Sequence, residues 1–293
     1  MNADFFIILA IKIFQKCLRL LPERLKLLSG ITLGRLAYRI LKDRRHIAIS
    51  NLKRVFKYYN DQEVEAIAKR CFERFGINFV ELLLIPYLDK SKYNEHFSIE
   101  NRDYIEFALE MKKGILAVVF HYSNWEIMGI ASTLLNQDII ALARPLKRHK
   151  KLNDFLNTLR ASTGLKIIPN KWTGKAIVRY LKENKIVALL ADQREKRSRG
   201  IMVDFFGEKV STNKGPVLLA MKTGAPVIPV YLSRKGFLRY TVVCGKPIEI
   251  ERKGDTENLI EANTRKLHAF LEKIIMEAPE EWFWVHRRWG RNR

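Results

Sequence analysis

The chain has 293 residues, 47% hydrophobic and 29% charged, which suits one large α/β domain or two small ones in an ordinary folded protein. Its 53 Lys+Arg against 31 Asp+Glu leave a formal charge of +22, which draws it toward polyanions: nucleic acid, an anionic membrane, a phosphorylated substrate or an acidic carrier protein. Cys17, Cys71 and Cys244 are odd in number and far apart, which argues against a disulfide framework or a cysteine zinc site and fits a reducing compartment.

Residues 4–21 read as an amphipathic basic helix. Lys12, Gln15, Lys16 and Arg19 recur at helical spacing on one face, and Pro22 ends the pattern. Its uninterrupted apolar part, Phe5 to Ile11, falls far short of the roughly 20 residues a spanning helix needs. Asp4, with no basic leading region and no small-residue cleavage site, argues against a secretory signal. Such a helix lies in a membrane interface or packs on the protein's own core.

Periodic apolar positions continue through Ile31 to Leu41, Ile47 to Phe56 and Val64 to Leu84, where Pro86 closes the pattern. Residues 1–100 are therefore expected as a helical N-terminal region, and 101–293 as an α/β domain. In the second part, strand-like runs at Ile115 to Phe120, Ile139 to Ala143, Lys166 to Ile168, Ile186 to Ala191, Val227 to Leu232 and Tyr240 to Cys244 alternate with helix-like segments. Those segments lie near Ser123 to Leu135, Lys150 to Ser162, Thr173 to Glu183 and Asn213 to Thr223. This succession predicts a mostly parallel sheet with crossover helices, whose active groups gather at the C-terminal ends of strands.

His121 stands at such an end, with Glu126 five positions later. In a regular helix that spacing turns two side chains roughly 140° apart, so they meet only if His121 precedes the helix. Ser123 with Glu126 forms a capping-box pattern that starts the helix at about Ser123. A histidine with a carboxylate partner is a general-base constellation, and no serine or cysteine nucleophile is obviously paired with it. The proton then comes from a substrate hydroxyl. The plainer reading leaves Glu126 as a cap and His121 as a turn residue. Arg144 and Asp192 with Gln193 also follow strands, whereas Arg160 sits near a helix C-terminus, a favourable place for any surface arginine. The closing run Pro279 to Trp289 is dense in Trp and Arg, which suits packing against the domain more than an interfacial or nucleotide-stacking role.

The ordered blocks F-H-Y-S-N-W-E, A-R-P-L, L-R-A-S-T-G, L-A-D-Q-R, F-F-G, L-A-M-K-T-G-A-P-V-I-P-V and P-E-E-W-F-W-V-H-R-R-W resemble the late acyltransferases of lipid A biosynthesis, within the lysophospholipid acyltransferase-like superfamily. The resemblance spans nearly the whole chain. It implies a glycerolipid acyltransferase-like α/β fold with a membrane-associating N-terminal region. The implied reaction moves a fatty acyl chain from acyl-acyl carrier protein, or acyl-CoA, to a hydroxyl of a lipid A precursor at the cytoplasmic face of a bacterial inner membrane. The protein would be peripheral or anchored by its N-terminal helix. Catalysis is assigned to His121 and Glu126, and substrate binding or transition-state stabilisation to Arg144, Arg160, Asp192, Asn124 and Gln193. No metal or other cofactor is implied, because the thioester supplies the activation. The expected partners are acyl carrier protein, an anionic glycolipid and membrane lipids, with no nucleic acid. Ser123 departs from the glycine common in the family's H-F-G-N-W-E. Two alternatives stand beside this one: acylation of another glycolipid, such as a phosphatidylinositol mannoside, and a non-enzymatic basic protein that binds membranes or nucleic acid.

Overall fold

Caps and close packing set the first helices. In the computed structural model, which describes residues 3–143, 148–169 and 173–290, these are α1 (Ala3–Leu20), α2 (Glu23–Ile40), α3 (Lys42–Val55) and α4 (Asp61–Leu84). Asn60 accepts from the Glu63 N–H at 2.9 Å while Glu63 accepts from the Asn60 N–H at 2.7 Å, so two otherwise orphaned donors at the start of α4 are satisfied reciprocally. Pro86 falls in a 3-10 turn, Ile85–Tyr87, that ends α4. Where α2 crosses α4 the backbones touch. A Cβ on Gly30 would stand 2.7 Å from Ile77 Cα, one on Gly34 would overlap the Phe72 carbonyl, and one on Gly76 would overlap the Gly30 carbonyl.

The α1 helix packs Leu18, Ile11 and Phe14 on the core but also buries two polar side chains and exposes several large apolar ones. Gln15, expected on the polar face, is buried and donates to the Leu83 carbonyl at 2.7 Å, and buried Asp4 holds His149 Nδ1 at 2.6 Å. Meanwhile Phe5, Phe6, Leu9 and Ile13 face outward, Phe6 at 52% exposure. On α2, Leu25, Leu28, Leu36 and Ile40 are exposed as well, the last at 65%. Among the described residues no helix is long and apolar enough to cross a membrane.

Beyond α4 come α5 (Tyr93–His96), β1 (Phe97–Glu100), α6 (Arg102–Glu110), β2 (Ile115–Val119), α7 (Ile130–Leu135), β3 (Ile139–Ala143), α8 (Lys150–Ala161), β4 (Lys166–Pro169) and α9 (Thr173–Lys182). They are followed by β5 (Ile186–Leu190), the hairpin β6 (Gly200–Phe205) and β7 (Glu208–Asn213), α10 (Gly215–Thr223), β8 (Val227–Gly236), β9 (Arg239–Cys244) and α11 (Thr256–Glu277). Seven strands form one sheet in the order β1-β9-β8-β2-β5-β3-β4, parallel throughout except between β8 and β9. This is the mixed, mostly parallel α/β sheet that the alternation of runs predicts, and each of the expected strands belongs to it. Three features lie beyond that expectation: the edge strand β1, which joins the sheet from the N-terminal side of residue 100, the β6–β7 hairpin, and α11.

The central strand β2 is apolar throughout because helices cover both faces. Leu116 and Val118 enter one core with Leu52, Trp282 and Trp284, while Ile115, Ala117 and Val119 enter the other with Val80 and Leu83. On one side β2 pairs with β5, and their last register pair is Val119 with Leu190. Two residues past each member of that pair stand His121 and Asp192. Strands that the chain separates by β3 and β4 thus deliver both side chains to one edge of the sheet.

Candidate active site

Asp192 grips His121 with both oxygens. Its Oδ1 stands 2.6 Å from His121 Nδ1 and its Oδ2 accepts the His121 backbone N–H at 2.9 Å; the Trp282 indole N–H also donates to Oδ2 at 2.9 Å. Burial opposes charge on this carboxyl, but the neighbouring His121 and the hydrogen bonds from His121 and Trp282 outweigh it and hold Asp192 down at about 2, below the ordinary 3.8. An ionised Asp192 requires Nδ1 to carry the donated hydrogen, which leaves Nε2 of the neutral ring as the acceptor. Gln193 Nε2 lies 3.1 Å from that nitrogen. The ring meets Trp125 edge-on at 5.0 Å between centroids and Phe283 at 5.8 Å. Its side chain keeps 14% exposure, an opening onto an otherwise walled site.

The expected pairing of His121 with Glu126 is not the one formed. Glu126 lies in a 3-10 turn, Trp125–Ile127, and is taken by Arg160 at the end of α8: Nε at 2.5 Å from Oε2 and Nη2 at 2.9 Å from Oε1. Arg160 also donates through Nη1 to Asn157 Oδ1 at 3.1 Å. Burial works against the guanidinium charge, yet its hydrogen bonds to Glu126 and that carboxylate's charge raise Arg160 above the ordinary arginine value.

Nor does the predicted capping box form. Ser123 adopts a left-handed backbone, its N–H donates to the Glu281 carbonyl at 2.7 Å and its own carbonyl accepts from Asn78 Nδ2 at 2.7 Å. Regular α-helix begins only at Ile130. Distant partners have claimed the Ser123 N–H and the Glu126 carboxylate, while the buried Ser123 hydroxyl has no hydrogen-bond partner among the described residues. Asn124, expected to bind substrate, is wholly buried and donates to Glu81 Oε2 at 2.9 Å and the Asn78 carbonyl at 3.3 Å. Its amide nitrogen is thus engaged inside the protein, while its Oδ1 has no hydrogen-bond partner among the described residues. Arg144 lies outside the described residues.

Beneath the turn is a polar framework absent from the sequence reading. Glu81, fully buried in α4, accepts from Arg234 Nη1 at 2.9 Å, the Leu238 N–H at 2.8 Å, the Tyr240 hydroxyl at 2.5 Å and Asn124. Arg234 also donates to Asn78 Oδ1 and faces Glu281 at 3.3 Å. A charge so deeply buried persists only when it is paired and hydrogen-bonded. Glu81 within the apolar run Val80 to Ile85 was the available signal. The closing segment folds as packing: Trp282 and Trp284 are at most 2% exposed. What it packs against is the turn that carries His121, as the pairing of Tyr122 with Trp282 records.

Residues 3–291 match the family of bacterial lipid A biosynthesis acyltransferases. The chain belongs to that family. It is similar to the lipid A biosynthesis palmitoleoyltransferase of Escherichia coli, 28% identical over 92% of this chain and 86% of the relative. The lauroyltransferase of the same pathway in E. coli is 26% identical over 88% and 83% of the two chains. A phosphatidylinositol mannoside acyltransferase of Mycolicibacterium smegmatis is 26% identical over 71% and 67%. This acyltransferase therefore shares its named activity with relatives that act in two kinds of glycolipid biosynthesis.

Proposed function

We propose that this acyltransferase transfers a fatty acyl chain from a thioester donor, acyl-acyl carrier protein or acyl-CoA, to a hydroxyl of a lipid A precursor, with His121 and Asp192 as the general-base pair. The grip of Asp192 on both the imidazole and the backbone of His121 carries this reading, because it fixes the tautomer and leaves Nε2 to work. The acceptor hydroxyl takes the place of the Gln193 amide at Nε2 and surrenders its proton as its oxygen attacks the thioester carbonyl. The tetrahedral intermediate collapses with loss of the thiolate, and the imidazolium returns the proton to sulfur. Asp192 stabilises the imidazolium in between, a contribution on the order of 10² to 10⁴ in rate for general-base catalysis of this kind. Arg160, fixed by Glu126, is the cation assigned to charge on the donor or acceptor. Lipid A ranks ahead of a phosphatidylinositol mannoside as acceptor because the lipid A relatives align over more of the chain.

The site of action in this reading is the cytoplasmic face of the inner membrane, approached peripherally. The outward apolar residues of α1 and α2, interspersed with Lys12, Lys16, Arg24 and Arg39, combine an insertable surface with attraction for anionic lipid. The same basic excess suits a phosphorylated acceptor and an acidic carrier protein.

Mass-resolved assays test the reaction, offering acyl-acyl carrier protein and acyl-CoA of several lengths to a tetra-acylated lipid A precursor. Wild type should yield a product heavier by one acyl group, His121→Ala none, and Asp192→Asn a product formed at a rate lower by roughly 10² to 10⁴. Undiminished transfer by His121→Ala would overturn the mechanism. Transfer only to a mannosylated phosphatidylinositol would replace the acceptor.

A further inference from the structure

Trp282 places its single polar atom against the buried carboxylate that seats His121. We propose that Trp282 is a positioning residue of the reaction, and that residues 281–283 form a strap that holds the Asp192 carboxylate in its working plane. The inference rests on the acyl-transfer reading above and deepens it.

Three observations support it. Asp192 is 2% exposed, so no solvent steadies its carboxylate; the plane is set by donors alone. Oδ1 receives the imidazole, while Oδ2 receives the His121 N–H and the Trp282 indole, each at 2.9 Å. Without the indole, Oδ2 retains only the backbone donor, the carboxylate can rotate, and more of its negative charge bears on the imidazole. A phenylalanine would fill most of the same space, so packing alone gives no reason for a donor aimed at this atom.

The strap also cannot move independently of the catalytic turn. Ser123 N–H donates to the Glu281 carbonyl at 2.7 Å and Phe283 N–H to the His121 carbonyl at 3.0 Å, on either side of Trp282. Finally, the strap is fastened from behind. The Glu281 carboxylate meets Arg74 at 2.9 Å and Arg234 at 3.3 Å. Asn51 Nδ2 donates to the Trp284 and His286 carbonyls at 2.7 and 2.8 Å. Farther along, fully buried Arg288 donates to the Ser211 carbonyl at 2.9 Å. The indole is thus presented to Asp192 by a segment held on both sides.

The deciding experiment compares wild type, Trp282→Phe, Asp192→Asn and the double variant across pH, with acyl transfer and the imidazole ¹⁵N titration of the His121–Asp192 pair as readouts. Loss of one hydrogen bond to a charged group should lower kcat about tenfold while leaving KM within about twofold. The acid limb of kcat/KM should move to higher pH by roughly half a unit to one unit, because a pair that loses a donor to its negative end holds its proton more tightly. In the Asp192→Asn background, Trp282→Phe should cost less than about twofold. An unchanged pH profile, or the same tenfold loss in both backgrounds, would overturn the proposal and leave Trp282 a packing residue. Should Trp282→Phe fail to fold, benzothienylalanine at position 282 keeps the bicyclic shape without the N–H, with the same expectations. If wild type transfers no acyl chain to any acceptor, the reading of the reaction fails. The ¹⁵N titration then decides about Trp282 alone: a shifted midpoint supports the contact and an identical one refutes it.

Discussion

Ser123 holds φ 54° in the turn after His121, and its buried hydroxyl has no hydrogen-bond partner among the described residues. A left-handed conformation costs a non-glycine residue on the order of 1 to 2 kcal/mol, and an unsatisfied buried hydroxyl costs about as much again. Ser123→Gly removes both and gives back some chain entropy in the unfolded state. It should therefore stabilise the protein by about 1 kcal/mol and raise the melting temperature by roughly 2 °C, measured by thermal denaturation; a lower melting temperature would show that the hydroxyl is satisfied in solution. The same residue marks a limit of local pattern. Ser123 with Glu126 matches a capping box in the sequence, but both are claimed by distant groups, Glu281 and Arg160, that no local window contains. Asp192 and His121 were both legible as polar residues at strand ends. That they are partners was not, because it depends on β2 and β5 being neighbours in space while β3 and β4 lie between them in the chain.

At the level of elements, β2, β3 and β5 were readable because each carries an unbroken apolar run of five or six residues flanked by polar turns, as parallel strands covered on both faces do. β1 escaped because Phe97–Glu100 has only four residues and alternates in burial. The α2–α4 crossing was also hidden, since glycines at 30, 34 and 76 disclose a contact only once the helices are paired. Gly76→Ala should push the helices apart and destabilise by about 2 kcal/mol or more, read as a lower denaturant midpoint. Gly174→Ala, where an added Cβ meets nothing within 4 Å, is the control and should be neutral or stabilising. Equal behaviour of the two variants would mean that the crossing is loose. Because α4 also carries Asn78 and Glu81 beneath the turn of His121, Gly76→Ala should reduce transfer as well under the proposed mechanism.

For the whole molecule, the charge of +22 and the apolar surface of α1 and α2 predict binding to vesicles of anionic phospholipid that weakens with salt. Sedimentation with such vesicles should show that replacing Phe5, Phe6 and Ile13 together by serine lowers binding at least about tenfold, with fold retained, since these side chains face outward. Binding that is unaffected would place the membrane contact elsewhere. The basic, amphipathic character of α1 was visible in sequence, whereas its orientation was not: burial of Asp4 and Gln15 answers to α4 and to His149, not to helical periodicity. The strap adds a consequence in time. Asp192 follows His121 by 71 positions and Trp282 follows Asp192 by a further 90. A ribosome adding about 5 to 20 residues per second thus needs roughly 5 to 20 s after making Asp192 before the residue that seats it exists. On the proposed membrane contact and the proposed site, the nascent chain would display the outward apolar residues of its first helices while the site is unfinished, so contact with the bilayer would precede competence to acylate.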